Sequence, residues 1–183
     1  MHANIWVYTF KAGLLARVAH DLCLSVKRHE LSVQAGKVRG QCDAASLQVE
    51  GVMLGNGLDR GTLSDSDKRQ ILETVQKEVL QTERHPCVEL EGDLSADPAR
   101  ATIEVRGNLR LHGQTRPLHV ALTRHGDKLE GAFELTPSEF GIPPYKALAG
   151  AIKLQDRVRV QVEIPLQGRD PFALLTLPDA LQL

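Results

Sequence analysis

Ile103, Val105, Gly107, Leu109 and Leu111 share one parity along the chain, and Glu104, Arg106, Asn108 and Arg110 fill the other. The same period of two returns in Leu118, Val120 and Leu122. It returns again in Val158, Val160, Val162 and Ile164, with Arg157, Arg159, Gln161 and Glu163 between them. A strand sends successive side chains to opposite faces, so each run makes one apolar face and one wet face. Antiparallel sheets solvated on one side read this way; parallel sheets buried on both do not. The spacing predicts strands over about 87–94, 101–112, 117–125, 129–136 and 152–165. Turns fall at 96–98, 113–115 and 126–127, and the last two make tight hairpins.

The first half is less regular. Trp6, Tyr8 and Phe10 alternate with Val7 and Thr9, the aromatic and β-branched composition of a first strand. Leu14, Leu15 and Val18 follow helical spacing and predict a short helical turn over 13–19. Leu22, Leu24 and Val26 resume the period of two, Leu31 and Val33 continue it, and 38–49 reads as one more strand. The stretch 51–61 holds four glycines and reads as a loop. One helix is predicted over about 67–83, where Ile71, Leu72, Val75, Val79 and Leu80 form an apolar stripe. Ser64 and Asp67 make a capping pair, Glu73 and Lys77 are spaced four apart in the favourable order, and His85-Pro86 stops the helix. Residues 137–151 are a looser stretch. Residues 169–183 read as an irregular tail docked on a domain of residues 1–168.

The run 101–112 would span about 40 Å when extended, roughly twice a typical strand. Long antiparallel strands predict a tall barrel, and an eight-stranded barrel is either filled by side chains or holds one small ligand. The inward positions are medium aliphatics with few aromatics, which leaves room along the axis. The same composition also fills a packed core.

With 183 residues, a single all-β domain is expected, and 42% hydrophobic residues suffice for a large core. A net charge of −1 and 4% aromatics argue against a nucleic-acid partner. No apolar run approaches the ~18 residues of a membrane span. Lys11 and Arg17 interrupt any apolar leader core, so the chain as given reads as cytoplasmic, or periplasmic if a leader has been removed. Cys23, Cys42 and Cys87 are too few and scattered for a disulfide framework and read as free thiols.

Candidate chemistry is sparse. His112 and His119 flank a turn, and His119 and His125 lie about 20 Å apart on an extended strand, too far for one ion. No H-x-H or H-x-x-x-H pair occurs, so no metal is expected. There is no G-x-S-x-G elbow, and 51–61 lacks the Lys-Ser/Thr of a phosphate loop. Asp65, Asp67, Glu73 and Lys77 read as a solvated helix face. The neighbours His20 and Asp21 leave an enzyme reading open, with His20 as a base and Cys23 as its nearest conceivable partner.

Four segments together carry a resemblance. They are His20-Asp21-Leu22, then Arg84-His85-Pro86-Cys87-Val88-Glu89-Leu90 after the helix, then Gly107 to Thr115 in a hairpin with the pattern G-x-L-x-L-x-G-x-T, then Ser138-Glu139-Phe140-Gly141-Ile142 before the last strand. In this order the chain resembles the YceI-like family over roughly residues 5–165. The resemblance implies an elongated, lipocalin-like antiparallel barrel with a helix at its side or end. It also implies an apolar pore for a polyisoprenoid chain, such as a quinone or polyprenyl tail, with no family-wide catalytic activity. Many members are periplasmic and some are dimeric. The chain departs from the family after Trp6, where Tyr8-Thr9-Phe10 replaces an Asp and a His-Ser pair, and before Phe140, where the acid is Glu139 and no basic residue stands near Pro137.

The expected site is accordingly non-catalytic. The pore candidates are Val105, Leu109, Leu111, Leu118, Val120, Leu122, Phe133, Leu135, Phe140, Ile142, Val158, Val160 and Val162. His20, Asp21, Tyr145 and Lys146 are candidates for the pore mouth, where a polar head would sit. A bound isoprenoid would be ligand, not cofactor, and a homodimer is a further possible assembly. Two alternatives stay open on the residues: a fully packed barrel serving as an interaction module, and the enzyme that would use His20.

Overall fold

The last long strand decides the architecture, because it pairs with a neighbour on each side. The computed structural model describes residues 3–12, 20–147, 152–175 and 181–182. The strands are β1 (Asn4–Lys11), β2 (Leu22–Val26), β3 (His29–Gln34), β4 (Lys37–Asp43), β5 (Leu47–Leu54), β6 (Gly57–Asp59), β7 (Cys87–Asp97), β8 (Thr102–Leu111), β9 (Gln114–His125), β10 (Lys128–Leu135), β11 (Lys146–Ala147), β12 (Ile152–Pro165) and β13 (Leu181–Gln182). Helix α1 covers Asp65–Thr74. The strands run antiparallel in one sheet of order β13-β3-β4-β7-β8-β9-β10-β12-β1-β2-β5-β6, with β11 on β12. β12 is thus held between β10 and β1, with Val160 opposite both Phe133 and Val7.

The sheet curls into a lipocalin-like half-barrel whose margins are β3, with the short β13 laid against it, and β5–β6. The margins are tied where β2 leads into β3. The Arg28 amide donates to Ser46 Oγ at 3.0 Å, and the Asp43 amide donates to the Arg28 carbonyl at 3.0 Å. Helix α1 follows β6 and sits beside this seam, and Gln76 Nε2 donates to the Ala45 carbonyl at 3.0 Å.

The all-β antiparallel reading holds, with departures in detail. The expected eight strands become thirteen among the described residues, several of them only two or three residues long. The run 38–49 is two strands, because the Asp43 carboxylate accepts the Ala45 amide at 2.8 Å and caps a 3-10 turn over Ala44–Ser46. The glycine-rich stretch 51–61 is not a loop but the second half of β5 hairpinned to β6, with Gly55 at φ +61 in the turn. Gly51 is there for contact: a Cβ on it would lie 2.2 Å from the Asp59 carbonyl oxygen. The helix begins as expected, with Ser64 and Asp67 in a reciprocal capping box. It ends early, passing into a π-helical turn over Val75–Val79, and Gln81 at φ +47 breaks it before residue 83. The helical turn expected over 13–19 lies outside the described residues. In the tail, Pro171–Leu175 is a 3-10 segment and β13 pairs with β3.

Register defines two ends. Asn4, Glu163, Lys128, His125, Thr102 and Asp97 lie toward one, which we call the base. Lys11, Leu135, Gln114, Leu111 and Cys87 lie toward the other, the mouth. The larger core cluster includes Ala3, Ile103, Leu129, Ile164 and Leu166, with Phe172 of the tail against it. A smaller cluster of Leu109, Phe140 and Ile142 packs with Val79, Leu80 and Val88 toward the mouth.

Candidate ligand-binding cavity

Between these clusters the curled sheet encloses a cavity of about 670 Å³ that opens to the surface. Its walls follow strand parity. Ile5, Val7 and Thr9 of β1 face inward, as do Leu22, Leu24 and Val26 of β2. The intervening Trp6, Tyr8 and Phe10 therefore lie on the outer face, where the Arg157 guanidinium stacks over Phe10 at 4.4 Å. Helix α1 contributes Asp67, Gln70, Ile71 and Thr74, and the π turn adds Val75 and Val79. Leu80 follows them on the wall.

The structure brings most of the expected pore residues together. Val105, Leu109, Leu111, Leu118, Val120, Leu122, Phe133, Leu135, Ile142, Val158, Val160 and Val162 all line the cavity. Phe140 does not: it sits on the 3-10 turn Pro137–Phe140 and packs in the cluster with Leu109 and Ile142. Of the mouth candidates, His20 and Tyr145 are on the wall. Asp21 is turned to the backbone, accepting the Lys11 amide at 2.6 Å, and Lys146 is exposed on β11, opposite Lys153. The residues of α1, β1 and β2 were missing from the expected wall. The parity of Ile5, Val7 and Thr9 was a usable signal for β1, and the apolar stripe from Ile71 to Val79 was one for the helix.

The polar chemistry near the cavity does not assemble a nucleophile. Cys42 lies on the wall, but burial pushes its thiol up to about 11, far from the thiolate a nucleophile needs. Cys23 is buried on the opposite face of β2 from Leu22 and Leu24. Its thiol is raised by burial, and its sulfur hydrogen-bonds with Tyr8, so it is not brought to His20. Among the described residues, no three His, Cys, Asp or Glu side chains group as metal ligands. Among them also, no helix is long and apolar enough to cross a membrane.

The mouth-side turns interlock through His112. It occupies the β8–β9 turn at φ +51, its ring 4.0 Å from that of His85. It hydrogen-bonds to the Phe140 carbonyl, while its Nε2 is buried without a hydrogen-bond partner. Burial lowers its pKa, and His85 lowers it further. One side chain thus joins the segment after the helix, the β8–β9 hairpin and the Phe140-Gly141-Ile142 turn.

A half-barrel curled round an apolar hollow, with a helix along its open seam, defines a lipocalin-like binding protein. The model of the YceI-like domain matches residues 18–166, and the chain belongs to that family. Two solved structures share the fold. One is Burkholderia cenocepacia BcnA, with a TM-score of 0.60 at 14% identity, covering 88% of this chain and 94% of that one. The other is a polyisoprenoid-binding domain from Saccharophagus degradans implicated in plant cell wall breakdown. It has a TM-score of 0.54 at 9% identity, covering 88% of this chain and 91% of that one. No curated protein matches the chain.

Proposed function

We propose that this protein is a non-catalytic carrier that holds an isoprenoid chain, quinone-like or polyprenyl, in its barrel. The observation that carries the reading is the apolar cavity. Its 670 Å³ falls within the ~300–1,000 Å³ of small-molecule sites. Aliphatic walls give water in the cavity few hydrogen-bond partners. A hydrocarbon guest there buries apolar surface, and each buried CH₂-sized unit contributes about 0.8 kcal/mol. A prenyl chain needs shape and apolar contact, which Val105, Leu118, Val120, Phe133 and Val158 supply, and no reactive group. The name of the Saccharophagus degradans neighbour supports the same ligand class. An interior filled by side chains, as the interaction-module reading requires, is not what the wall residues form.

Native mass spectrometry and solvent extraction of freshly purified protein test the proposal. A bound isoprenoid, or saturable uptake of added geranylgeraniol, is the expected result. Protein that carries no lipid and takes up none overturns it.

A further inference from the structure

The inner face of the barrel is not equally open along its height. On β10, Leu129 is 1% exposed, whereas Phe133 and Leu135 nearer the mouth are half-buried. On β8, Ile103 is buried and Leu111 half-buried; on β12, Ile164 is buried and Leu154 and Val158 are half-buried. Ile103, Leu129 and Ile164 line the cavity and also belong to the larger core cluster, with Leu166 and Phe172 packed there. The chain beyond β12 is tied back under them: the Leu166 amide donates to the Asp127 carbonyl at 2.8 Å, and the Gly168 amide to Asp127 Oδ1 at 2.8 Å. The hollow therefore has a floor at the base.

Resting on the carrier reading above, we propose that this floor limits the length of the guest: the cavity takes tails of about five isoprene units whole and strands the excess of longer tails outside. On β8 the inward row from Ile103 to Leu111 runs about 27 Å at ~3.4 Å per residue, and a barrel tilt of ~40° leaves about 20 Å along the axis. An isoprene unit adds four chain bonds, about 5 Å when extended, so ~4 units reach from floor to mouth. By volume, a five-carbon unit takes up roughly 120 Å³ at the density of a protein interior, and the 670 Å³ of the cavity hold about five. Height and volume agree, and neither has room for eight or nine units. Leaving a bilayer for this wall exchanges one apolar surrounding for another. Each CH₂-sized group stranded in water instead weakens binding about fourfold.

The test offers the full chain phosphatidylcholine vesicles holding equimolar farnesol, geranylgeraniol and solanesol, of three, four and nine units. Protein is separated from vesicles by flotation, and its extracted prenols are quantified by mass spectrometry. Geranylgeraniol is expected at least tenfold over solanesol. Any smaller preference overturns the length limit and leaves the carrier reading standing; recovery of no prenol overturns both. Val162 lies opposite Ile5 and Gly131, one inward position above Ile164. Val162→Phe raises the floor and is expected to lower the recovery of geranylgeraniol severalfold while sparing the shorter farnesol. An equal change in both prenols overturns the placing of the floor, and the wild-type ratio is read independently of this variant.

Discussion

The base of the barrel and its mouth are built from the same kinds of residue but packed to different ends. At the base, Ile103, Leu129, Ile164 and Leu166 are each under 5% exposed, and Pro171 and Phe172 close over them. At the mouth, helix α1 carries an apolar stripe and yet contains no buried residue. Its inner face looks into the cavity. The contrast teaches that stability is concentrated where the sheet is filled, and access where it is not.

The largest expected effect breaks the base. Leu166→Ala removes a side chain 0% exposed and off the cavity wall, and is expected to lower stability by about 3 kcal/mol in urea unfolding, because a packed site cannot collapse around the void. Ile71→Ala, a half-buried position on the helix, is expected to cost well under half as much. Equal losses would erase the distinction between the ends. Next comes Val158→Trp, which projects an indole into the hollow. It is expected to displace two or three CH₂-sized units of guest, about 2 kcal/mol of binding, with little change in melting temperature. Loss of fold instead of affinity would mean that the interior has no spare room at Val158.

A smaller effect is expected from Ser64→Ala. It removes the capping hydroxyl and should cost about 1 kcal/mol, felt as faster amide exchange in α1 and faster ligand release, not as unfolding of the sheet. The last prediction concerns pH. The folded state holds the His112 pKa below its ordinary 6.5, so the folded protein binds fewer protons than the unfolded chain. The stabilisation is complete above the unfolded value and is lost as pH falls from there through the lower folded value. Urea unfolding at about pH 7.5 and about pH 5.5 should show a loss on acidification that His112→Asn reduces. Hydrogen exchange should place the change at the mouth-side turns and not at the base; an unchanged pH slope in the variant would remove His112 from this role.

How much was legible in the sequence follows the regularity of the strands. The long strands β7, β8, β9, β10 and β12 match the predicted runs closely, because alternation on a half-solvated sheet repeats without interruption. The errors gather where backbone chemistry overrides period. Asp43 breaks the 38–49 run by capping a turn, and Gly51 is a close-contact residue, not a loop signal. Phe140 sits on a turn, where parity has no meaning, so its apolar character put it on the wall when it belongs to the cluster behind. Asp21 and Lys146 stand at the mouth end, beside Lys11 and Lys153, but off the cavity wall. The inner faces of β1, β2 and α1 were recoverable from Ile5, Val7, Leu22, Leu24 and Ile71. Choosing them needed the knowledge that β12 returns to β1.

That return sets the order in which the pocket can come into being. Val160 must meet Val7, near the opposite end of the polypeptide, before the wall is continuous. During synthesis the hairpins β7–β8, β8–β9 and β9–β10 can form as they emerge, since their contacts are local. β1 and β2 meanwhile present an unmatched apolar face. The hollow exists only once the final long strand has emerged, so the nascent chain offers no complete chamber, and acquiring cargo and finishing the fold become neighbouring events.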